Sequence, residues 1–342
     1  MNKMAKIYDA FNFLSKLSFR RVANLLKLLS SYYYSKATGK SKHWGKPFSI
    51  SFEPTTTCNL QCPECPSGLR VFSRPTGNLN KEFFQKTIDE IYRELIYLIF
   101  YFQGEPYINP DFLDMVKYAA GKKLYTITST NGHFLNDENA KKTVESGLDR
   151  LIISLDGTTQ EVYESYRRGG NLEKVLEGTR NIVKWKKALK SSKPIVFFQF
   201  LVVKPNEHQI EDIKSLAGEM GVDGVLFKTA QIYNYKTGNP LIPTIDKYSR
   251  YRKNADGTYS IKNKLANSCW KMWHSNVITW DGRVVPCCFD KDAKYVMGEL
   301  NENSFYDIWD NDNYAAFRNA ISKGRDKIDM CKNCTEGTKV WL

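Results

Sequence analysis

From residue 47 onward, short apolar runs alternate with longer segments whose apolar positions recur every three to four residues. The short runs predict six β-strands, at 49–53, 97–102, 125–129, 150–154, 195–203 and 224–228. The periodic segments predict helices near 81–94, 111–121, 137–146, 172–190 and 208–220. Asn109-Pro110 is predicted to cap the second of these helices, with the proline at its first position. Strands that alternate with helices indicate an α/β fold built around a parallel sheet, here a partial (β/α)6 TIM-like barrel.

The first 46 residues show a different pattern, in which basic and apolar side chains interleave. Ten lysines and arginines stand there against one acidic residue, Asp9, so this segment carries +9 of the net charge of +13. The pattern predicts an amphipathic, helix-forming leader. We expect it to pack over the bottom of the barrel, and the alternative is peripheral contact with an anionic membrane. Nucleic-acid binding is not expected, because no recognised nucleic-acid module accompanies the basic charge.

The size of the chain allows one barrel and a small second domain. It has 342 residues, of which 42% are hydrophobic, and no run of eighteen apolar residues that would predict a membrane-spanning helix. We predict a leader over 1–46, a barrel over 47–235, and a linker with a small C-terminal domain over 236–342. Eight cysteines without an export signal predict a reducing, cytoplasmic location.

Three cysteines, Cys58, Cys62 and Cys65, follow the first predicted strand with the spacing C-x3-C-x2-C. Electron-transfer clusters usually take four cysteine ligands, so three would leave one iron of a cubane cluster open to a cofactor or substrate. In barrels, functional residues gather at the carboxyl ends of the strands, where this loop lies. A structural zinc site and a disulfide are the alternatives, but zinc takes four ligands and a disulfide needs an oxidising compartment.

The remaining five cysteines all lie in the last quarter of the chain, at Cys269, Cys287, Cys288, Cys331 and Cys334. A hairpin turn at Asp281-Gly282 is predicted to present the cysteines that follow it. Two cysteines separated by two residues can hold one metal centre, and two more from a distant hairpin complete four thiolates. This spacing fits a cubane cluster and zinc equally well.

The triplet resembles that of the radical S-adenosylmethionine (SAM) superfamily, and the C-terminal cysteines resemble its SPASM or shortened "twitch" extensions. The resemblance implies a SAM-binding [4Fe-4S] cluster on the triplet and a second, auxiliary [4Fe-4S] cluster on four ligands, Cys269, Cys287, Cys331 and Cys334. A full SPASM domain carries seven cysteines and two clusters, so the chain departs from that pattern. Cys288 is left over, either as a ligand or as a small buried apolar residue.

Further contacts to SAM follow from the same resemblance. Residues 103–106, Gln-Gly-Glu-Pro, resemble the family's GGEP motif with its first glycine replaced by glutamine. This implies that Glu105 and the backbone near Gly104 hold the ammonium group of SAM, which requires a carboxylate in a semi-buried site. Ser154 is implied as a further contact. Arg167 matches an arginine that pairs with the methionine carboxylate, and the neighbouring arginine is the alternative.

One position inside the triplet departs from the family pattern. Glu64 stands where many relatives have an aromatic residue that stacks on adenine. We interpret this as variation within the family, because the substitution leaves all three thiolates in place.

The resemblance implies a radical SAM iron–sulfur oxidoreductase that cleaves SAM reductively to a 5′-deoxyadenosyl radical, which abstracts a substrate hydrogen. An auxiliary cluster that accepts an electron favours oxidation of a hydroxyl-bearing small molecule such as a sugar. A one-electron donor such as flavodoxin or ferredoxin is also implied. The proton acceptor stays open among Asp156, Lys228, His208 and Tyr233. The alternatives are a SPASM-type peptide maturase, with a peptide substrate, and a non-catalytic iron–sulfur or zinc scaffold.

Overall fold

Six parallel strands follow one another in chain order across the central sheet of the computed structural model, which describes residues 3–337 and 339–340. They are β1 (Ser49–Phe52), β2 (Tyr97–Ile99), β3 (Tyr125–Thr130), β4 (Arg150–Ser154), β5 (Ile195–Val202) and β6 (Gly224–Thr229). All six predicted strands are present, and the largest difference is that β2 ends at Ile99 and not at residue 102. The partial (β/α)6 barrel is confirmed.

Helices connect these strands and flank the sheet. In chain order they are α1 (Lys3–Leu14), α2 (Phe19–Thr38), α3 (Pro66–Leu69), α4 (Lys81–Ile91), α5 (Phe112–Gly121), α6 (Asp137–Glu145), α7 (Gln160–Tyr166), α8 (Leu172–Ala188), α9 (Ile210–Glu219), α10 (Lys271–His274), α11 (Phe305–Asp310) and α12 (Asp312–Gly324). The predicted helices correspond to α4, α5, α6, α8 and α9. Within the described ranges, no helix has both the length and the apolar character needed to cross a bilayer.

Side chains along each strand point alternately to the two faces of the sheet. One face packs against the helices, and the other faces the barrel interior. Phe52 on β1 packs against Phe84 on α4 with ring centroids 5.0 Å apart, and Phe100 packs against Phe112 on α5 at 5.8 Å. Neighbouring positions therefore point to the other side of the sheet, toward the barrel interior.

The predicted helix cap at Asn109 is wrong. α5 begins at Phe112 with Asp111 as its cap residue, and Asn109 lies in the loop before it. The Asn109 side-chain amide instead donates to the backbone carbonyls of Pro54 and Leu79, at 2.8 and 2.9 Å. The asparagine thus fixes the start of the loop that leaves β1, which the sequence pattern did not predict.

The C-terminal region continues the barrel sheet. After a separate hairpin of β7 (Tyr251–Lys253) and β8 (Tyr259–Ile261), the chain adds β9 (Ser275–Ile278), β10 (Arg283–Val285) and β11 (Gly298–Glu299). β9 pairs parallel with β1, so the strand order is β11-β10-β9-β1-β2-β3-β4-β5-β6. The predicted hairpin at Asp281-Gly282 is present between β9 and β10, with Gly282 at φ +90°.

The leader packs across the amino-terminal ends of the barrel strands. The Phe13 ring lies 6.5 Å from that of Tyr97 and 5.7 Å from that of Tyr125. Asp9 pairs with Arg150 at the start of β4 and accepts a hydrogen bond from the Tyr125 hydroxyl. These contacts confirm the packing predicted for the leader. The side chains of Lys3 and Lys6, which belong to the predicted basic segment, lie outside the described residues.

Arg21 on α2 is a buried cation that joins the leader to two loops of the barrel floor. Its guanidinium donates to the backbone carbonyls of Lys16, Lys123 and Tyr92. We expect Arg21→Met to lower the free energy of unfolding by about 2–3 kcal/mol, because charged hydrogen bonds are lost and buried carbonyls lose a donor. Urea denaturation measures the change. Arg20→Met, at a side chain that is 56% exposed, is the matched control and should cost less than about 1 kcal/mol; equal losses would contradict the prediction.

Candidate functional site

The cysteine triplet lies in the loop that leaves the carboxyl end of β1. Cys62 is buried, and Cys58 and Cys65 are half-buried. Cys65 is the cap residue of the short helix α3, and its backbone N–H donates to the Cys62 carbonyl. A Cβ at Gly68 would lie 2.6 Å from the Cys62 backbone nitrogen, so the helix can approach the loop only with glycine there. The loop and α3 therefore fold as one compact turn around the three thiols.

Hydrogen-bond donors surround these sulfurs. The Leu60 N–H lies 3.5 Å from Cys58 Sγ, the Asn131 amide lies 3.9 Å from it, and Arg167 Nη1 lies 3.9 Å from Cys62 Sγ. Burial raises the pKa of the Cys58 thiol to about 12 and also raises that of Cys62. Thiolates in this site therefore need a compensating positive charge, which cluster iron supplies. The thiols and their donors fit an iron–sulfur cluster.

Glu105 lies beside the triplet at the carboxyl end of β2 and is 2% exposed. Its carboxylate accepts hydrogen bonds from the Thr130 hydroxyl and the Asn131 N–H, both at 2.7 Å. Gly104 has φ +73°, and a Cβ there would lie 2.3 Å from the Thr55 carbonyl oxygen. The backbone turn thus requires glycine at the position predicted to approach the cofactor. The structure brings Gly104, Glu105 and the triplet loop together as predicted.

Burial raises the pKa of Glu105 to about 7, although its hydrogen bonds oppose the shift. A carboxyl group with a raised pKa in the folded state stabilises the fold below its unfolded pKa. That contribution is lost as pH rises toward 7. Between the unfolded pKa of a glutamate and pH 7, we expect the free energy of unfolding to fall by about 3 kcal/mol more in the cofactor-free wild-type protein than in the Glu105→Gln variant. Urea denaturation of both proteins at a series of pH values measures it, and parallel profiles would contradict the prediction.

Arg167 lies at the site, whereas Arg168 is exposed. The Arg167 Nε donates to Asp156 Oδ2 at 2.5 Å, and the other carboxylate oxygen of Asp156 accepts from the Leu201 N–H at 2.7 Å. Asp156 therefore fixes the guanidinium and leaves its far edge toward Cys62. Of the two neighbouring arginines, Arg167 has its side chain against the triplet, and its contact with a cofactor stays a prediction.

Ser154 ends β4 and contributes to a polar end of the barrel interior. Its hydroxyl lies 3.5 Å from that of Ser129 on β3, and Gln199 is its partner residue on β5. Small polar side chains at the carboxyl ends of the strands allow a ribose or a substrate to approach the strands. The structure thus places Ser154 at the carboxyl end of β4, and its contact with the cofactor stays a prediction.

The C-terminal cysteines lie where the tail of the chain returns to α10. Cys269, Cys331 and Cys334 are buried. The Arg325 guanidinium lies 3.1 Å from Cys334 Sγ, and a Cβ at Gly337 would lie 2.4 Å from Cys269 Sγ. Burial raises the pKa of Cys331 to about 11 although Arg325 opposes the shift, and the thiols of Cys334 and Cys269 add to it. These three thiols thus share one environment, with a buried arginine to balance negative charge.

Cys287 follows β10 and lies beside the other three C-terminal thiols. Cys288, the next residue, differs from Cys287 in its exposure. The Cys288 side chain is exposed, and its sulfur lies 3.8 Å from Lys271 Nζ. The interpretation of Cys288 as a small buried apolar residue is therefore wrong. The thiols of Cys288 and Cys287 raise the pKa of Lys271, so this lysine is a fixed cation next to the cysteine pair.

All eight cysteines among the described residues carry free thiols in this structure. Among the described residues, no three or more Cys, His, Asp or Glu side chains converge on the position of one metal ion. A cubane cluster binds each thiolate at a different iron, so its ligands need not converge on one point.

A cavity of about 150 Å³ with a mixed lining lies against the C-terminal cysteine pair. Ser49, Ser51, Tyr101, Lys271 and Cys288 line it together with the apolar side chains of Ile99, Phe102 and Val277. The Ser51 hydroxyl donates to the Tyr101 carbonyl at 2.6 Å, which fixes the serine on the inner face of β1. Hydroxyl, ammonium and thiol groups here can bind a small polar molecule.

A larger groove of about 430 Å³ lies between α3 and the C-terminal region. Apolar side chains, including Leu69, Val71 and Met330, form part of its lining. Tyr233 stands at this groove with its hydroxyl 3.0 Å from Lys291 Nζ, and its N–H donates to Glu64 at 3.0 Å. Glu64, which replaces the family's aromatic residue, therefore anchors the Tyr233 loop to the triplet.

The four candidate proton acceptors are scattered. Asp156 is fully engaged by Arg167 and the backbone, Lys228 and His208 are exposed, and Tyr233 lies at the groove. Among the described residues, none of the four lines the cavity beside the C-terminal cysteine pair.

Sequence reasoning missed two buried arginines that support the site. Arg74 forms a bidentate pair with Glu53 at the end of β1, and Arg325 contacts Cys334. A lone arginine in a polar segment gives no local signal of either role. Asn131 had a signal, since it lies in the Ser-Thr-Asn-Gly run after the third strand, and it contacts both Cys58 and Glu105.

Two family models match the chain. That of the Radical SAM superfamily matches residues 52–217, and that of the SPASM iron–sulfur cluster-binding domain matches residues 269–335. The triplet lies in the first range, and all five C-terminal cysteines lie in the second.

Three curated proteins illustrate the range of relatives. The tungsten-containing aldehyde ferredoxin oxidoreductase cofactor-modifying protein of Pyrococcus furiosus is 27% identical over 312 residues, covering 79% of this chain and 82% of the relative. The mycofactocin maturase MftC of Mycobacterium ulcerans is 31% identical over 175 residues, or 51% of this chain and 45% of the relative. The PqqA peptide cyclase of Bradyrhizobium diazoefficiens is 23% identical over 321 residues, covering 87% of this chain and 81% of the relative.

Solved structures with the same fold include two that contain SAM. BtrN in complex with AdoMet and 2-DOIA has a TM-score of 0.53 at 20% identity, covering 85% of this chain and 93% of that chain. Streptococcus suis SuiB bound to S-adenosylmethionine has a TM-score of 0.63 at 13% identity, covering 90% of this chain and 74% of that chain. At these identities the likeness concerns the fold.

Proposed function

The chain is a member of the radical SAM superfamily with a C-terminal SPASM domain, and from this premise we propose that it oxidises a hydroxyl-bearing small molecule, such as a sugar, by two electrons. As such an enzyme it uses iron–sulfur clusters and SAM. When bound, these cofactors supply a radical able to remove a hydrogen atom from substrate. The protein itself binds and orients the cofactors and the substrate, and it excludes water from the site.

The proposed ligands of the SAM-binding [4Fe-4S] cluster are Cys58, Cys62 and Cys65. Glu105 would bind the ammonium group of SAM, because its carboxylate is buried beside the triplet and held by Thr130 and Asn131. Arg167, oriented by Asp156, would bind the methionine carboxylate. Gly104 and Ser154 would allow close approach without steric conflict.

The proposed ligands of the auxiliary cluster are Cys269, Cys287, Cys331 and Cys334, with Arg325 as a buried donor beside them. Oxidation of an alcohol to a carbonyl releases one hydrogen atom, one electron and one proton. A cluster held by these cysteines would accept the electron. An external one-electron donor, such as flavodoxin or ferredoxin, would start each turnover, and a protein group or water takes the proton.

The polar groups in the cavity beside the cysteine pair support the choice of substrate class. Its volume of about 150 Å³ suits one small molecule, and its serine hydroxyls, Tyr101 and Lys271 offer donors and acceptors to hydroxyl groups. A bulky apolar substrate would leave these groups without partners, which costs free energy.

Modification of a peptide side chain is the second candidate, and the groove next to α3 favours it. Leu69, Val71 and Met330 there can hold an apolar peptide side chain at the edge of the triplet loop. The PqqA peptide cyclase, which matches most of this chain, acts on a peptide by its name.

The test is to incubate the reconstituted enzyme, under reducing and anaerobic conditions, with SAM and separate panels of amino sugars, cyclitols and short peptides. We expect a hydroxyl-bearing small molecule to stimulate 5′-deoxyadenosine formation and to yield a product two hydrogen atoms lighter by mass spectrometry. Tyr101→Phe should raise the KM for that substrate, whereas Met330→Asp in the groove should not. Stimulation by peptides alone, sensitive to Met330→Asp, would establish the second candidate instead.

The auxiliary site gives a further prediction. Cys331→Ala/Cys334→Ala should abolish oxidised product while SAM cleavage to 5′-deoxyadenosine continues, because only the electron acceptor is lost. Product and 5′-deoxyadenosine are measured in the same reaction, so the SAM cleavage is an internal control for folding. Oxidised product at the wild-type rate would contradict the role of these cysteines.

A further inference from the structure

The helices α1 and α2 each carry a line of large, exposed apolar side chains, and we call the two lines together the row. Its members are Ile7, Phe11, Leu14, Phe19, Val22 and Leu26, with exposed fractions of 49, 68, 55, 91, 38 and 58%. Their spacing of three or four residues within each helix places them on one side of that helix. Of fourteen exposed large apolar side chains among the described residues, nine lie before residue 47. Such a concentration on a surface indicates an interaction site.

Apart from Leu14, which also lines a cavity between the leader and the barrel floor, the row is not needed for packing on the barrel, because the opposite faces of the same helices already supply that contact. Phe13 packs on the aromatic rings of the barrel floor, and Leu28 and Tyr32 are buried. Tyr32 lies 5.2 Å from the ring of Trp270. Each helix therefore has two apolar sides. In the described structure the barrel covers one side of each helix and leaves the other side exposed.

The charge around the row has one sign. Asp9 is the only acidic residue among the first 46, and it is buried against Arg150 and Tyr125. Lys27, next to Leu26, is exposed, as are Lys36, Lys40 and Lys42 beyond it. An apolar row flanked by exposed lysines is complementary to a surface with anionic groups outside and apolar material beneath.

We propose that this row docks the enzyme on the surface of an anionic lipid bilayer. The apolar side chains would enter the boundary between headgroups and acyl chains, and the lysines would lie at the lipid phosphates. A second copy of the chain fits less well, since a symmetric contact would bring two leaders of net charge +9 together.

The position of the row on the barrel gives the docked enzyme an orientation. The leader covers the amino-terminal ends of the strands, whereas the cysteine triplet and Glu105 lie at the carboxyl ends. Docking through the leader therefore turns the site away from the lipid. The bilayer localises the enzyme and leaves the site open to substrates and an electron donor from the aqueous side.

Co-sedimentation of the full-length, reconstituted protein with vesicles tests the proposal. We expect it to sediment with vesicles rich in phosphatidylglycerol, much less with pure phosphatidylcholine, and less at high salt. Phe11→Ser/Phe19→Ser/Leu26→Ser should weaken the partition coefficient by at least about tenfold, since three apolar contacts are lost. Ile245→Ser is the matched control and should bind like wild type, because this isoleucine is 40% exposed and its N–H donates to Glu207, beyond the carboxyl end of β5. Lys27→Glu/Lys36→Glu should remove the preference for anionic vesicles.

Wild-type protein that stays in the supernatant with anionic vesicles would overturn the proposal, as would equal sedimentation of the triple serine variant. A wild-type dimer that the triple variant converts to a monomer, measured by light scattering, would identify the row as a subunit interface and also overturn it. Cleavage of SAM without vesicles is measured on the same samples and should be unchanged in the triple variant. Failure of the proposed oxidation would leave the vesicle result intact, so the two proposals are tested separately.

Discussion

Replacement of Cys58, Cys62 and Cys65 together with alanine is expected to abolish the formation of 5′-deoxyadenosine from SAM. The variant loses the three thiolates that fit a cluster with an open iron, and Glu105 and Arg167 alone cannot supply an electron to SAM. Iron content should fall by about four per chain, because the C-terminal site is untouched. Chromatographic quantification of 5′-deoxyadenosine after anaerobic reduction measures the effect.

The reciprocal variant, Cys331→Ala/Cys334→Ala, is the control for this prediction. It should lose the other half of the iron and still cleave SAM. If the triple alanine variant forms 5′-deoxyadenosine at a rate above the reagent background, the triplet is not the SAM-cleaving centre.

The buried pair of Arg74 and Glu53 is expected to be the largest single electrostatic contribution to the stability of the site. Arg74 is 6% exposed and Glu53 is fully buried, and the two N–H···O contacts measure 2.8 and 2.5 Å. Arg74 also donates to the Lys291 carbonyl, and Glu53 accepts from the Trp280 N–H. The pair thus joins β1, the loop after the triplet and the C-terminal region.

Arg74→Met should lower the free energy of unfolding by about 3–5 kcal/mol, because it leaves a buried carboxylate without its partner. Urea denaturation of the cofactor-free protein measures the loss. Arg74→Met/Glu53→Gln should recover part of it, since no unpaired charge remains buried. Arg180→Met, which breaks an exposed pair with Glu173, is the control and should change stability by less than about 1 kcal/mol. Equal effects of Arg74→Met and Arg180→Met would contradict the role of the buried pair.

Local patterns predicted the barrel because its strands are short apolar runs and its helices are long and periodic. α7 was missed because seven residues give too little periodicity to distinguish a helix from a loop. The addition of β9 to β1 was also missed, because a four-residue strand carries no information about a partner more than 200 residues away. Domain boundaries at 46 and 235 remain predictions, and the shared sheet shows that the last region is not a detached module.

The site was predictable where the chemistry requires a fixed spacing, as in the two sets of cysteines and the Gly104-Glu105 turn. It was not predictable where the chemistry depends on partners brought together by folding. The contact of Ser73 with Asp292, which joins the triplet loop to the C-terminal region, spans 219 positions of sequence. Cys288 belongs to this second group, because only the structure places it next to Lys271 and the cavity beside it.

The most direct test of an enzyme with two clusters is to measure iron, sulfide, zinc and 5′-deoxyadenosine on one sample of anaerobically reconstituted wild-type protein. We predict about eight irons per chain, no stoichiometric zinc, and SAM cleavage after reduction. About four irons with one zinc would keep the radical chemistry and contradict the auxiliary electron acceptor. Fully loaded protein that forms no 5′-deoxyadenosine, alone or with any of the substrate panels, would contradict the assignment of a radical enzyme.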